Sequence, residues 1–220
     1  MDFLKKVIVL GMVVSVASLF VVRIPINGWG SVIWVIGVFA AIFIKAPYAL
    51  AYRRKVSNDE QRDITSERIF SLIVVFGATI LPMTHLIFGI FEPVNFTAPT
   101  WITLLGSFLL FEGLVLLRKS YQSLGTNWTP GSVLYETHTL VMTGPYKRIR
   151  HPMYAAFFTI FLAQAFLLEN WAISFGGLLT FGFYYWVLMP KEEEVMLARY
   201  GKRYEDYASQ TGRVLPKLFM

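Results

Sequence analysis

Two groups of side chains in this sequence have types and spacing that suit chemistry. One is the run Gly144-Pro145-Tyr146-Lys147-Arg148-Ile149-Arg150-His151-Pro152-Met153-Tyr154, which opens directly into an apolar segment of helix length. The other is the acidic triplet Glu192-Glu193-Glu194, which follows the next apolar segment. A cationic and aromatic cluster at the mouth of a bilayer helix is costly to keep unless it binds something. Only Glu169-Asn170 separates the two apolar segments, so they form an antiparallel hairpin. The hairpin brings His151 and Tyr154 beside the glutamates. Carboxylates, an imidazole and aromatic faces together suit a cation with a polar tail, such as S-adenosylmethionine. Carboxylates and ring faces favour its sulfonium, Arg, Lys and free backbone N–H groups hold its carboxylate, and tyrosines sandwich its adenine. There is no Walker motif and no GxGxxG after a strand, which excludes nucleotide folds of the soluble kind.

The elements that must position these groups follow from composition. The chain has 220 residues, 55% hydrophobic and 15% charged, where a soluble domain carries about 25% charged residues. Six windows approach the roughly 20 apolar residues of a bilayer helix: Val7–Val22, Ser31–Ala51, Ile69–Phe91, Pro99–Leu117, Met153–Leu168 and Trp171–Met189. Asn27–Gly30 and Glu92–Asn95 are turns between them. The expected fold is all-α: a single integral membrane domain over 1–220, with three N-terminal spans in 1–98 and a core in 99–220. Arg23-Ile24-Pro25 ends the first apolar run without a small-residue cleavage site, so it reads as a retained span. With an even span count, every lysine and arginine except Arg23 and Lys45 falls on one side. The positive-inside rule puts that side, both termini and the site in the cytosol. The absence of a processing signal points to a prokaryotic inner membrane. The net charge of +6 matches anionic lipid headgroups as partners rather than nucleic acid. With no cysteine, disulfides, thiolate metal sites and a cysteine nucleophile are excluded, and no metal site is expected. The long connection 119–150 is too apolar for disorder. Residues 191–210 read as a charged helix with one aromatic face of Leu197, Tyr200, Tyr204 and Tyr207.

The pattern His138-Thr-Leu-Val-x-x-Gly-Pro-Tyr146-x-x-x-Arg150-His151-Pro152-x-Tyr154, followed by Glu193-Glu194-x-x-Leu197-x-x-x-Tyr200-Gly201-x-x-Tyr204-x-x-Tyr207, resembles the isoprenylcysteine carboxyl methyltransferase family and its phospholipid methyltransferase relatives. Leu124–Pro130 resembles the bacterial members. The resemblance covers Ser123 to Pro216. It implies a membrane methyltransferase that uses S-adenosylmethionine, with the cofactor under the loop and a lipid-like or small hydrophobic acceptor entering from the bilayer. Carried over, it implies cofactor contacts from His138, Thr139, Leu140, Val141, Gly144, Tyr146, Arg150, His151, Pro152, Tyr154 and Glu193. Catalytic roles fall to Glu193, Glu194 and His151. One position departs: Met189 stands where the prenylcysteine enzymes resemble one another in an arginine that holds a substrate carboxylate.

The acceptor therefore stays open among a prenylcysteine carboxylate, a phospholipid amine and a thiol. An amine or thiol must lose a proton, which Glu193, Glu194 or His151 would take. The rival reading is a non-enzymatic transporter or scaffold. A transporter would carry mid-membrane polar groups on several spans, and only Lys45, His85 and Glu112 qualify. His85 is expected to bond the carbonyl freed by Pro82, Lys45 to snorkel to the surface, and Glu112 to make a buried polar contact.

Overall fold

The computed structural model describes residue 15 and residues 17–55, 65–129 and 138–217. The first expected span, 7–22, falls largely outside them; residues 17–22 are helical up to Arg23. α1 runs Ile24–Lys55, with a break at Gly28, whose φ of 73° suits glycine. α2 (Thr65–Val75), a π-turn (Phe76–Ile80) and α3 (Leu81–Phe88) form one apolar rod. α4 is Thr100–Leu124, α5 Pro152–Leu167, α6 Trp171–Ser174, α7 Gly176–Tyr200 and α8 Lys202–Gln210. Among the described residues there is no strand, only two isolated bridges. Four rods there are long and apolar enough to cross a bilayer: Ile24–Arg54, Ile69–Phe88, Thr100–Asn127 and Trp171–Tyr200. α5 is a fifth, shorter apolar helix. The protein is an all-helical integral membrane bundle.

Small residues set how closely the rods approach. A Cβ at Gly106 would stand 2.9 Å from Phe166 Cβ, and one at Gly113 would stand 2.7 Å from Ile160 Cγ1. α4 and α5 therefore make their extensive contact nearly backbone to backbone, as small residues allow in membranes. Where α1 meets α5, the Trp34 indole N–H donates to Gln164 Oε1 at 3.3 Å. The Gln164 amide in turn donates to the Ile173 carbonyl at 3.1 Å. A buried amide is tolerated there because both its ends are bonded.

The end with few basic residues is closed by a polar clasp. Arg23 donates to the Leu86 carbonyl at 3.1 Å and pairs with Glu92 at 2.5 Å. Asn27 donates to the same carbonyl at 2.9 Å. Asn170 caps α6 by accepting from the N–H groups of Ala172 and Ile173, and donates to the Phe91 carbonyl and Asn95 Oδ1. His85 does not take up a freed carbonyl: its Nδ1 accepts the Phe91 N–H at 3.2 Å. Glu112 is exposed on α4 instead of buried.

The sixth span also differs from expectation. Its helix does not stop at Met189 but runs through Pro190 to Tyr200. Proline forfeits one helical bond, yet its fixed φ is helical, and packing on both sides carries the rod across. The break comes at Gly201, with φ of 50°.

Asn170 is 1% exposed and joins three connections at once. Asn170→Ala is expected to cost about 2–3 kcal/mol, combining a lost cap with orphaned buried partners. Thermal unfolding of the detergent-purified protein checks this; an unchanged midpoint would refute the clasp's importance.

Candidate active site

At the basic end of the bundle, loop 138–151 is folded over the mouths of α4, α5 and α7. Gly144, with φ of 59°, turns the chain into a short 3-10 segment, Gly144–Lys147. That segment seats Tyr146 inward. Pro152 then starts α5 at a position where its missing N–H costs nothing. His151 is thereby placed at the helix mouth.

The residues after α8 lock this loop in place. The Arg150 and His151 N–H groups donate to the carbonyls of Gly212 and Arg213 at 2.8 and 2.9 Å. The Gly212 N–H donates to the Arg148 carbonyl at 3.2 Å. The Arg150 guanidinium reaches three ways, to Glu193 Oε1 at 2.9 Å, to the Ala208 carbonyl at 3.0 Å and to the Thr211 carbonyl. Glu193 is held as well by Arg213 at 3.1 Å and by His151 Nε2 at 3.4 Å. The other ring nitrogen of His151 lies 3.7 Å from Glu192 Oε2. The Tyr154 hydroxyl donates to Glu192 Oε1 at 2.6 Å, and its ring lies against His151 with centroids 5.4 Å apart.

A second set of contacts supports the outer loop strand. Asn127 Oδ1 accepts the Thr139 N–H at 2.9 Å. The Tyr200 hydroxyl donates to the His138 carbonyl at 3.1 Å, and the Tyr207 hydroxyl to the Tyr146 carbonyl at 2.7 Å. Leu140, Tyr204 and Tyr207 form a small buried cluster with Met196 and Tyr200. Burial pushes the Tyr146 phenol well above its usual range and the Tyr207 phenol up to about 12, so both remain neutral hydrogen-bonding groups. The aromatic face of the C-terminal helices packs on the loop, with Met196 in the place foreseen for Leu197, which is exposed.

These elements enclose a cavity of about 570 Å³, within the range of small-molecule sites. His138, Thr139, Leu140, Val141, Tyr146, Arg150, His151 and Tyr154 all line it. Four residues singled out in the sequence do not. Gly144 is an exposed turn, Pro152 is buried as a helix start, Glu193 faces its arginine partners, and Glu194 is exposed. The carboxylate that does line the cavity is Glu192. The walls also include Tyr121 and Trp128, 5.5 Å apart between centroids. Deeper, the wall is apolar and includes Ala78 and Thr79 of the π-turn, a helix irregularity frequent at functional sites. Met189 is buried among Tyr154 and Phe181 and supplies no cation. Among the described residues no group of histidines and carboxylates is placed to hold a metal.

Parts of the chain are similar to known proteins. Residues 101–203 match the model of the phospholipid methyltransferase family. This segment runs from α4 to the start of α8 and contains most of the cavity wall. A Xenopus laevis protein-S-isoprenylcysteine O-methyltransferase is 26% identical over 119 residues, which is 53% of this chain and 41% of the relative. The chain thus matches about two fifths of that relative's length. Among solved structures, a eukaryotic intramembrane Ras methyltransferase, isoprenylcysteine carboxyl methyltransferase, superposes with a TM-score of 0.49 at 21% identity. That match covers 84% of this chain and 72% of the other.

Arg150 is the hub of the loop–tail contact. Arg150→Met is expected to lower stability by about 2–3 kcal/mol, the loss of a mostly desolvated partner of Glu193. It should also raise amide exchange at residues 150–151 and 211–213 well above that of α5. Exchange confined to fraying of the last residues alone would count against the lock.

Proposed function

We propose that the protein is an S-adenosylmethionine-dependent methyltransferase acting on a lipid-like or small hydrophobic acceptor at the cytoplasmic face of a membrane. Residues 99–220 form its catalytic core. The observation that carries this reading is one cavity in which Glu192, the 138–141 loop segment, His151 and several tyrosines meet at a membrane-helix mouth. The donor set fits the cofactor. Glu192 and the ring faces suit a sulfonium, the loop's backbone suits its carboxylate, and Tyr121, Trp128 and Tyr146 offer flat apolar surfaces for adenine. When bound, the cofactor supplies a methyl group already activated for displacement.

The chain's own residues then orient and exclude. Tyr154 and His151 fix Glu192 toward the cavity. Arg150 and Arg213 hold Glu193 away from it, so that carboxylate positions His151 and the loop. The aromatic lid formed by Tyr200, Tyr204 and Tyr207 keeps water from the donor. Where the acceptor carries a proton to be lost, Glu192 and His151 are the groups placed to take it. The basic distribution of the sequence supports the cytoplasmic assignment, and a prokaryotic inner membrane remains part of this proposal.

Calorimetry of the detergent-purified protein tests the reading with two ligands that differ in charge. Both S-adenosylmethionine and neutral S-adenosylhomocysteine are expected to bind at sub-millimolar concentration. Glu192→Gln should weaken the sulfonium ligand about tenfold, or 1.4 kcal/mol, and the neutral one much less. No heat with either ligand would favour a non-enzymatic scaffold. Equal weakening of both would remove Glu192 from the sulfonium.

A further inference from the structure

The cavity extends well beyond what a nucleoside-sized donor needs at the loop. Its deeper wall runs along α1 past Gly37 and Ala41 and ends at Trp34 and Gln164. On the mouth side of this stretch, one lysine among the described residues, Lys45, also lines the cavity. Its depth is fixed by helix geometry. α1 and α5 run antiparallel, in register where Trp34 meets Gln164. From Trp34 to Lys45, and from Gln164 back to Met153, the rise is about 16 Å at 1.5 Å per residue. Lys45 is therefore level with Met153, beside His151 and Tyr154. Ala41, Ile44 and Tyr48 of α1 pack against the same cluster of Leu117, Tyr121 and Ala156 as Met153 and Phe157 of α5, in keeping with this register.

Of the two lysine and arginine side chains that line the cavity among the described residues, Arg150 is already spent on Glu193 and two carbonyls. Lys45 has no such engagement: among the described residues, neither a carboxylate nor a carbonyl is within hydrogen-bond or ion-pair range of its ammonium. Lys45 is exposed, at the level of the α5 mouth, and an ammonium that lines a cavity there attracts an anionic ligand. Lys45 and Glu192 thus stand on different helices around one cavity, with opposite charge.

We infer that Lys45 anchors the anionic group of the acceptor, and that the acceptor is an anionic amphiphile whose chain lies along the Trp34–Ala41 wall. The inference rests on the methyltransferase reading and deepens it: Glu192 takes the cationic donor and Lys45 the anionic acceptor. The anion is a carboxylate or a phosphate ester. Both present oxygen acceptors to an ammonium, and Lys45, a point charge without a fixed fork, accommodates either.

Direct binding tests this without turnover. Dodecanoate, dodecyl phosphate and neutral methyl dodecanoate are titrated into the protein in neutral-lipid nanodiscs, with and without S-adenosylhomocysteine. At least one anion is expected to bind about tenfold more tightly than the ester, and the stronger of the two identifies the anion. Lys45→Met should erase the preference and Lys45→Arg should retain it, each with unchanged affinity for S-adenosylhomocysteine and an unchanged unfolding midpoint. No preference in the wild type, or a preference surviving in Lys45→Met, would overturn the inference. A preference that depends on Lys45 in a protein that ignores S-adenosylhomocysteine would support the anion site and sink the donor assignment instead.

Discussion

Everything at the basic end of this molecule hangs on the Arg150 guanidinium. One planar fork engages a carboxylate on α7, a carbonyl on α8 and a carbonyl in the following tail. Three pieces of chain distant in sequence are fixed relative to α5, and His151 is fixed with them through the adjoining backbone bonds. Few other side chains have the donors and the rigidity for this. Burying such a group is costly on its own, and the arrangement is tolerable because Nε and Nη1 meet a carboxylate and two carbonyls. The cavity is what remains open beneath that node.

The environment divides the labour between the two ends of the bundle. At the basic-poor end, polar side chains close connections between rods: Arg23 with Glu92, Asn27 with Leu86, and Asn170 with Phe91 and Asn95. At the basic end, similar bonds hold a loop over an opening. In both places the bonds are short and the partners mostly backbone carbonyls, as expected where water cannot satisfy them. The difference is that the loop end also leaves a lined space, with one carboxylate and one ammonium on opposing helices.

Much of this was legible in the sequence. The rods followed from apolar length, the hairpin from the brevity of Glu169-Asn170, and the meeting of His151 and Tyr154 with the glutamates from that hairpin. The phase of the last long helix was not. The spacing of a separate helix from Lys191 put Leu197 on the inner face, and the resemblance put Glu193 at the cofactor. The helix instead continues through Pro190, and at about 100° per residue the inward positions become Glu192 and Met196. Both positions differ by one residue in the same direction, which a single phase shift explains. Gly201 resets the phase, so Tyr204 and Tyr207 fall where their spacing placed them. Lys45 gave no motif signal. Its interest arises only when α1 is set against α5, a contact no local pattern reveals.

The tail residues that complete the loop come after every apolar rod in the chain. Residues 211–213 supply carbonyls to Arg150 and His151, and nothing earlier in the sequence substitutes for them. During synthesis, α5 and α7 must enter the bilayer with their shared mouth still unlatched, and the cavity takes shape only afterwards. A nascent chain stalled short of Arg213 would be an inserted bundle with its loop unfastened, so insertion and completion of the cavity are separated in time.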